Sequence, residues 1–193
     1  MEQFVLTSKA LPLGARVLGF VGEEALSQLY SFEVTFVVDQ AGFEPEALEG
    51  QRGSLLIEAD LLQPFFVHGL FSEVESLDDG AAHSLVRARL TPAMQRLTQS
   101  VHSRVFTQRN LPAIIAEVLQ SSGFGASDYE LRLSQNYAKE EHIAQYKESD
   151  FAFLSRWFER EGLHFYFEQE ADAEKLVIVD DDAAHTPIPG GSV

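Results

Sequence analysis

Phe32-Glu33-Val34-Thr35-Phe36-Val37-Val38 decides the fold class. Side chains of a strand alternate between two faces, so Phe32, Val34, Phe36 and Val38 share one face while Glu33 and Thr35 take the other. Val86, Ala88 and Leu90 oppose Leu85, Arg87 and Arg89 in the same way. One face is buried and the other is wet. Further β-rich runs occupy Arg16 to Val21, Tyr30 to Val38, Ser54 to Leu61, Phe65 to Ser76 and Ser84 to Leu90. Asp78-Asp79-Gly80 tolerates the positive φ angles of a hairpin turn and predicts that Phe65–Ser76 pairs with Ala82–Leu90. Pro64 opens its run, where a missing N–H does least harm. Residues 1–91 therefore read as a small antiparallel β-barrel or sandwich.

At Thr91-Pro92 the pattern changes period. Thr91 suits a cap and Pro92 a first helical position, giving a short helix near 92–98. Leu111-Pro112 opens a helix over 111–122, with Leu111, Ile114, Ile115, Val118 and Leu119 on one stripe and Gly123 after its end. Tyr129 to Leu133 and His142 to Lys147 read as strands. Ser149 or Asp150 caps a third helix over 150–161, closed by Gly162. On it Phe151, Leu154 and Phe158 form a stripe beside Phe153 and Trp157, and Glu148 and Asp150 sit at the positive end of its dipole. Leu163 to Glu168 and Lys175 to Asp180 follow as two strands joined by a polar turn. The expected organisation is α+β and β-rich: a barrel domain over 1–91, then a helix-containing domain over 92–193.

Composition narrows the function. A chain of 193 residues buries roughly 70% of its unfolded surface and needs no staples. It has no cysteine, which removes disulfides and thiolate chemistry and fits folding in a reducing compartment. Thirty acidic residues against fourteen basic give a net charge of −16, which opposes binding to nucleic acid and confines any self-contact to surfaces without carboxylates. No window approaches the ~20 apolar residues of a membrane span, and residues 1–22 lack the pattern of a secretory signal.

Catalytic signatures fail in turn. The six histidines form no i, i+4 pair around a glutamate, and Glu140-Glu141-His142 reads as a solvated strand entry. His68 and His164 lie within apolar runs as satisfied core or interface histidines. Asp180-Asp181-Asp182 lacks the spacing of a calcium loop and reads as a wet turn. Neither Gly14 to Gly22 nor Gly50-Gln51-Arg52-Gly53 has phosphate-loop spacing, and no nucleophile elbow occurs. The aromatic cluster Phe151, Phe153, Trp157, Phe158, Phe165, Tyr166 and Phe167 has the spacing of core or interface rather than of a ligand pocket. The expectation is a structural protein with no catalytic residue, metal or cofactor. A glycan hydrolase built on two of the many carboxylates and a barrel that binds a small ligand are the competing classes.

Tyr146-Lys147-Glu148-Ser149-Asp150-Phe151-Ala152-Phe153-Leu154-Ser155-Arg156-Trp157-Phe158-Glu159-Arg160-Glu161-Gly162-Leu163-His164-Phe165-Tyr166-Phe167 resembles the signature of the type VI secretion spike family, the valine–glycine repeat protein G (VgrG) family. Arg104-Val105-Phe106, Leu111 to Ile115, Leu90 to Leu97, and Phe20 to Ser27 with Tyr30 to Phe32 are similar to its other blocks, in the same order. Lys147, Trp157 and Met94 depart from it, standing in place of an arginine, an aliphatic residue, and a bulky aromatic or leucine. The resemblance implies an N-terminal hub region like that of a contractile phage baseplate, with a first barrel, a helical insertion and at most the start of a second barrel. It implies a homotrimer that docks on a hexameric tube protein of the Hcp kind. It also implies contacts with other spike and baseplate components and effectors, assembly in the cytoplasm, and export without a signal peptide. Tyr146, Glu148, Ser149, Asp150, Phe151, Phe153, Leu154, Arg156, Trp157, Gly162 and Tyr166 are its signature residues, with structural or interface roles. A baseplate hub of a phage tail is the alternative within the same resemblance.

Overall fold

The computed structural model describes residues 3–40, 42–58, 64–79 and 83–181. Contacts divide the chain into two units, residues 1–93 with 168–174, and residues 94–167 with 175–193.

The first unit is built on six strands: β1 (Gln3–Ser8), β2 (Arg16–Glu23), β3 (Ser31–Val38), β4 (Arg52–Glu58), β5 (Phe65–Asp79) and β6 (Ser84–Thr91). They form one sheet in the order β1-β4-β5-β6-β3-β2, and every pairing in it is antiparallel. The sheet curls: the rings of Phe4 on β1 and Phe20 on β2, its two outermost strands, meet edge to face at 5.2 Å. Alternation does what the sequence requires of it. Phe32, Val34, Phe36 and Val38 are buried together with Val86, Ala88 and Leu90 on the paired strand β6. Leu55, Val67 and Phe71 complete a solid interior. The opposite face carries a cross-strand ladder in which Arg89 bonds Glu73 at 2.7 Å and approaches Glu33 at 3.6 Å, while Arg87 lies 3.4 Å from both Glu33 and Glu75. Such exposed pairs contribute about 0–1 kcal/mol each, so the ladder sets register more than stability.

β5 and β6 pair from Leu70↔Thr91 to Asp79↔Ser84, as the Asp-Gly signal requires; Gly80 to Ala82 lie outside the described residues. Gly69 on β5 is needed for close approach, because a Cβ there would overlap the backbone carbonyl of Thr91. Gly69→Ala is expected to cost about 1–3 kcal/mol by overpacking, read as a lower urea midpoint at unchanged slope. No loss would show that β5 and β6 have room to separate.

His68 sits on the same strand, 4% exposed. Its Nε2 lies 2.9 Å from the Glu170 carbonyl and must donate to it, so in the neutral ring Nδ1 accepts from Ser54 Oγ at 2.6 Å. Its backbone N–H donates to Gln169 Oε1 at 2.9 Å, and its carbonyl accepts from the hydroxyl of Tyr30. Burial, reinforced by the charge of Glu174, raises the Tyr30 hydroxyl above the ordinary phenol range. His68 is thus a satisfied core histidine, as its apolar run implies. His164, by contrast, is only half-buried.

The second unit holds β7 (Val101–Arg109), α1 (Leu111–Ser121), β8 (Tyr129–Arg132), β9 (Glu140–Ser149) and α2 (Asp150–Glu161). β10 (His164–Gln169) and β11 (Glu174–Val179) follow, and the turn between them falls by its contacts in the first unit. β7 and β9 form a two-stranded antiparallel ribbon; β10, β11 and β8 form a three-stranded sheet in which β11 and β8 run parallel. Both long helices obey their sequence signals. Asn110 Oδ1 accepts from the Ala113 N–H at 3.1 Å to cap α1, and Leu111, Ile114, Ile115, Val118 and Leu119 are buried. Ser149 Oγ accepts from the Ala152 N–H at 3.1 Å, which settles the cap of α2 in favour of Ser149 over Asp150. Gly162 ends α2 with φ of 72°, a left-handed cap that favours glycine.

Several sequence expectations are corrected. The short helix expected near 92–98 is present as a 3-10 helix over Ala93–Thr98, while other expectations change. The strands β1 and β7 have no counterpart in the sequence-based reading, since neither follows a clean alternation. The buried stripe of α2 is Phe153, Leu154, Trp157 and Phe158, while Phe151 stays half-buried. Asp180 is no wet turn: it is 8% exposed and accepts from the backbone N–H groups of Ser134 and Gln135 at 2.8 and 2.9 Å. It also accepts from the hydroxyls of Ser134 and Tyr137, both at 3.0 Å. Asp182, Gly190 and Gly191 lie outside the described residues.

Burial of Asp180 by itself raises its carboxyl pKa, but the four hydrogen bonds outweigh this and hold it below the usual aspartate range. A depressed folded-state pKa contributes stability that is present above the unfolded-state value and is lost as pH falls through the folded-state value. Urea midpoints of the wild type are expected to fall from about pH 4 downward more steeply than those of Asp180→Asn. Parallel pH profiles would show that Asp180 has no such linkage.

Candidate functional site

The start of α2 is the most heavily built polar site among the described residues. Ser149, the residue before α2, caps the helix, and this places the next residue, Asp150, at the positive end of the helix dipole with only 1% exposure. A buried carboxylate requires donors, and β7 and β9 supply them. Asp150 Oδ1 accepts from Arg104 Nη2 at 2.6 Å and from Gln145 Nε2 at 2.8 Å, and His102 Nδ1 lies 3.1 Å away. Asp150 Oδ2 accepts a long bond from Ser122 Oγ at 3.4 Å. Arg104 Nε donates to Gln145 Oε1 at 2.7 Å, and Gln145 Nε2 also reaches the Glu148 carbonyl at 3.1 Å, so the polar groups satisfy one another. The chemistry is that of a staple between helix and ribbon. Oδ1 receives three donors, from Arg104, Gln145 and His102.

The remaining signature residues surround this staple. Glu148 holds Arg156 at 2.7 Å, and Arg156 also donates to the Ala144 carbonyl at 3.2 Å. Its guanidinium lies over the rings of Phe153 and Trp157, at 5.7 and 6.0 Å. Phe153 stacks on Phe106 of β7 at 5.6 Å. The Trp157 ring is covered by Arg160 at 4.5 Å, while its buried indole N–H has no hydrogen-bond partner among the described residues. Tyr166 accepts from Arg132 Nη1 at 2.9 Å, away from the staple. Leu154 packs in the core and Gly162 serves only the helix end.

Tyr146 differs from all of these, being 69% exposed. It pairs with Ser103 across the ribbon, and a bulge between His102 and Ser103 leaves Lys147 unpaired with φ of 49°. Lys147 Nζ lies 5.3 Å from the Tyr146 ring centre. Sequence reasoning missed Arg104, His102, Gln145 and Ser122 as partners of Asp150. The only signal for them is the positive residue in a short run, Arg104-Val105-Phe106, with no indication of its target.

No cluster of three or more His, Asp or Glu placed to hold a metal occurs among the described residues, and no described helix is long and apolar enough to cross a membrane. The groove with the buried Glu174 carboxylate, about 300 Å³, is shallow and lined by charges of both signs, including Lys9, Arg52 and Asp172.

A curled antiparallel sheet with a filled interior, joined in sequence to an α+β unit stapled by a buried ion pair, is a build shared with phage tail hub proteins. The chain belongs to the phage tail baseplate hub (GPD) family, whose model matches residues 23–193. Its curated relatives are spike proteins of the type VI secretion system. VgrG4b of Pseudomonas aeruginosa is 34% identical over 92% of this chain and 22% of its own length. VgrG1a of the same organism is 32% identical over 93% of this chain and 28% of its own. The chain thus spans about a quarter of the relatives it matches. Among solved structures, an E. coli type VI secretion component described as similar to the T4 bacteriophage tail proteins gp27 and gp5 superposes with a TM-score of 0.87. It is 25% identical, over 95% of this chain and 51% of that one. A 43 kDa prophage tail protein from Shewanella oneidensis shares the fold with a TM-score of 0.62 at 15% identity, over 92% of this chain and 53% of that one. The actin cross-linking toxin VgrG1 of Vibrio cholerae is 29% identical over 90% of this chain but only 16% of its own length, so its activity is not carried over here.

Proposed function

We propose that this chain is the hub region of a type VI secretion spike protein. Three copies form a ring that docks on a hexameric tube protein of the Hcp kind, nucleates assembly of the tube, and carries effectors outward with the machine. The ring assembles in the cytoplasm and leaves with the machine, and this region makes and breaks no bond. The observation that carries the reading is the solid interior of the first unit. Val34, Phe36, Leu55, Val67, Phe71, Val86 and Leu90 are fully buried inside the curled sheet, which leaves the outer face and rims to act. A barrel that binds a small ligand needs that interior open, and a glycan hydrolase needs facing acids in a cleft. In this reading the signature residues around Asp150 hold the second unit rigid so that its surfaces keep their geometry.

The test is co-purification with a tube-forming ring protein. Retention of the chain on immobilised rings, at micromolar concentration and physiological salt, is the expected result. Absence of retention, together with failure to seed tube growth in light scattering, would overturn docking. The baseplate hub of a contractile phage tail is the second reading, favoured by the description of the matching family itself. Retention by a phage tail-tube ring but not by a secretion ring would select it.

A further inference from the structure

The outer face of the β7–β9 ribbon exposes three large apolar side chains. Val101 and Val105 on β7 are 65% and 60% exposed, and Tyr146 on β9 is 69% exposed. Register places Ser103 opposite Tyr146 and Val105 opposite Ala144, so these residues form one contiguous surface, continued by Thr107 opposite His142. The other face of the ribbon turns Arg104, Phe106, Ile143 and Gln145 inward. Among the described residues β7 and β9 pair only with each other, so each also presents an edge with no strand beside it there. Monomers seldom leave large apolar side chains grouped in this way.

We infer that this face seats against a second copy of the chain, and the inference rests on the trimeric hub reading above. Charge selects the occupant. Residues 1–93 hold fourteen acidic residues against five basic, whereas residues 94–167 hold nine against eight, so the repulsion between copies of a −16 chain is concentrated away from the ribbon. Among Val101, Ser103, Val105, Thr107, His142, Ala144 and Tyr146 there is no carboxylate, and β7 as a whole contains none. Beyond Tyr146 along β9, Glu148 is already neutralised by Arg156 at 2.7 Å, and at the other end of the strand Glu140, which follows His142 on the same face, stands opposite Arg109. An acidic chain that associates with itself does so best through surface poor in carboxylates, and the middle of this ribbon supplies it with an apolar centre of the kind that interfaces bury.

The experiment measures mass by light scattering and sedimentation against concentration and salt for the wild type, Val105→Glu, Tyr146→Glu and the control Leu18→Glu. Leu18 is 52% exposed on β2 of the other unit. Circular dichroism checks folding, and a spin label on Val105→Cys, the sole thiol in a cysteine-free chain, reports burial directly. The expected result is self-association of the wild type that strengthens with salt, at least tenfold weaker in both ribbon variants and unchanged in Leu18→Glu, with the label immobilised as mass rises. Association that persists in folded Val105→Glu and Tyr146→Glu overturns the ribbon surface and leaves the trimer standing. A chain that stays monomeric at every concentration and salt overturns both. Immobilisation of the label only when a tube-ring protein is added assigns the face to that partner and overturns the second copy.

Discussion

Asp150→Ala is expected to cost about 3–5 kcal/mol of folding stability, because it removes one member of a buried ion pair and leaves the other without its partner. Arg104 loses its 2.6 Å bond, the Gln145 amide loses one at 2.8 Å, and the first turn of α2 loses the negative charge at its positive end. Arg104 is 26% exposed and relaxes partly into water, which places the cost toward the lower end of that range. Urea unfolding measures the effect, and two companions separate its causes. Asp150→Asn keeps shape and some hydrogen bonding and should lose less. Asp150→Ala combined with Arg104→Met removes the stranded charge and should recover part of the loss. A single-variant cost below about 1 kcal/mol would show that the staple contributes no more than a surface pair.

Phe153→Ala is expected to cost about 3–5 kcal/mol by a different route, cavity formation. The ring is fully buried, stacks on Phe106 at an interplanar angle of 22°, and supports the guanidinium of Arg156 on its face. Removing it opens a void between α2 and the ribbon at the point where β7 meets the helix. Phe153→Leu refills most of the volume and should recover more than half of the loss. Equal losses in the two variants would mean that the stacking on Phe106, not the volume, carries the effect.

Much of the fold was legible before any tertiary information. The Phe32–Val38 alternation, the matching alternation of Val86, Ala88 and Leu90, and the two long helices with their caps all depend on neighbours within about four residues, and a short window contains that information. The β-rich fold class followed from it, whereas the family resemblance rested on the block from Tyr146 to Phe167. Where the local signal was mixed, the reading was wrong or silent. β7 interleaves Arg104 and Phe106 on its inner face with Val101 and Val105 on its outer face, so polarity tracks neither burial nor exposure along it. Asp180 looked like solvent-facing acid because three consecutive aspartates usually are, yet the loop at Ser134 and Gln135 closes over it.

The sequence by itself determined the two long helices and the strands with clean alternation, though not β1 or β7, since periodicity and capping are local properties of the chain. Tertiary structure alone decided what the cap does next. Arg104 and Asp150 are 46 residues apart and meet only because β7 pairs with β9 in the register that sets His102 against Glu148. The same register decides that Val101, Val105 and Tyr146 emerge together on the outer face. A one-residue slip would exchange the two faces of the ribbon, so the staple and the bare apolar surface are two consequences of one pairing.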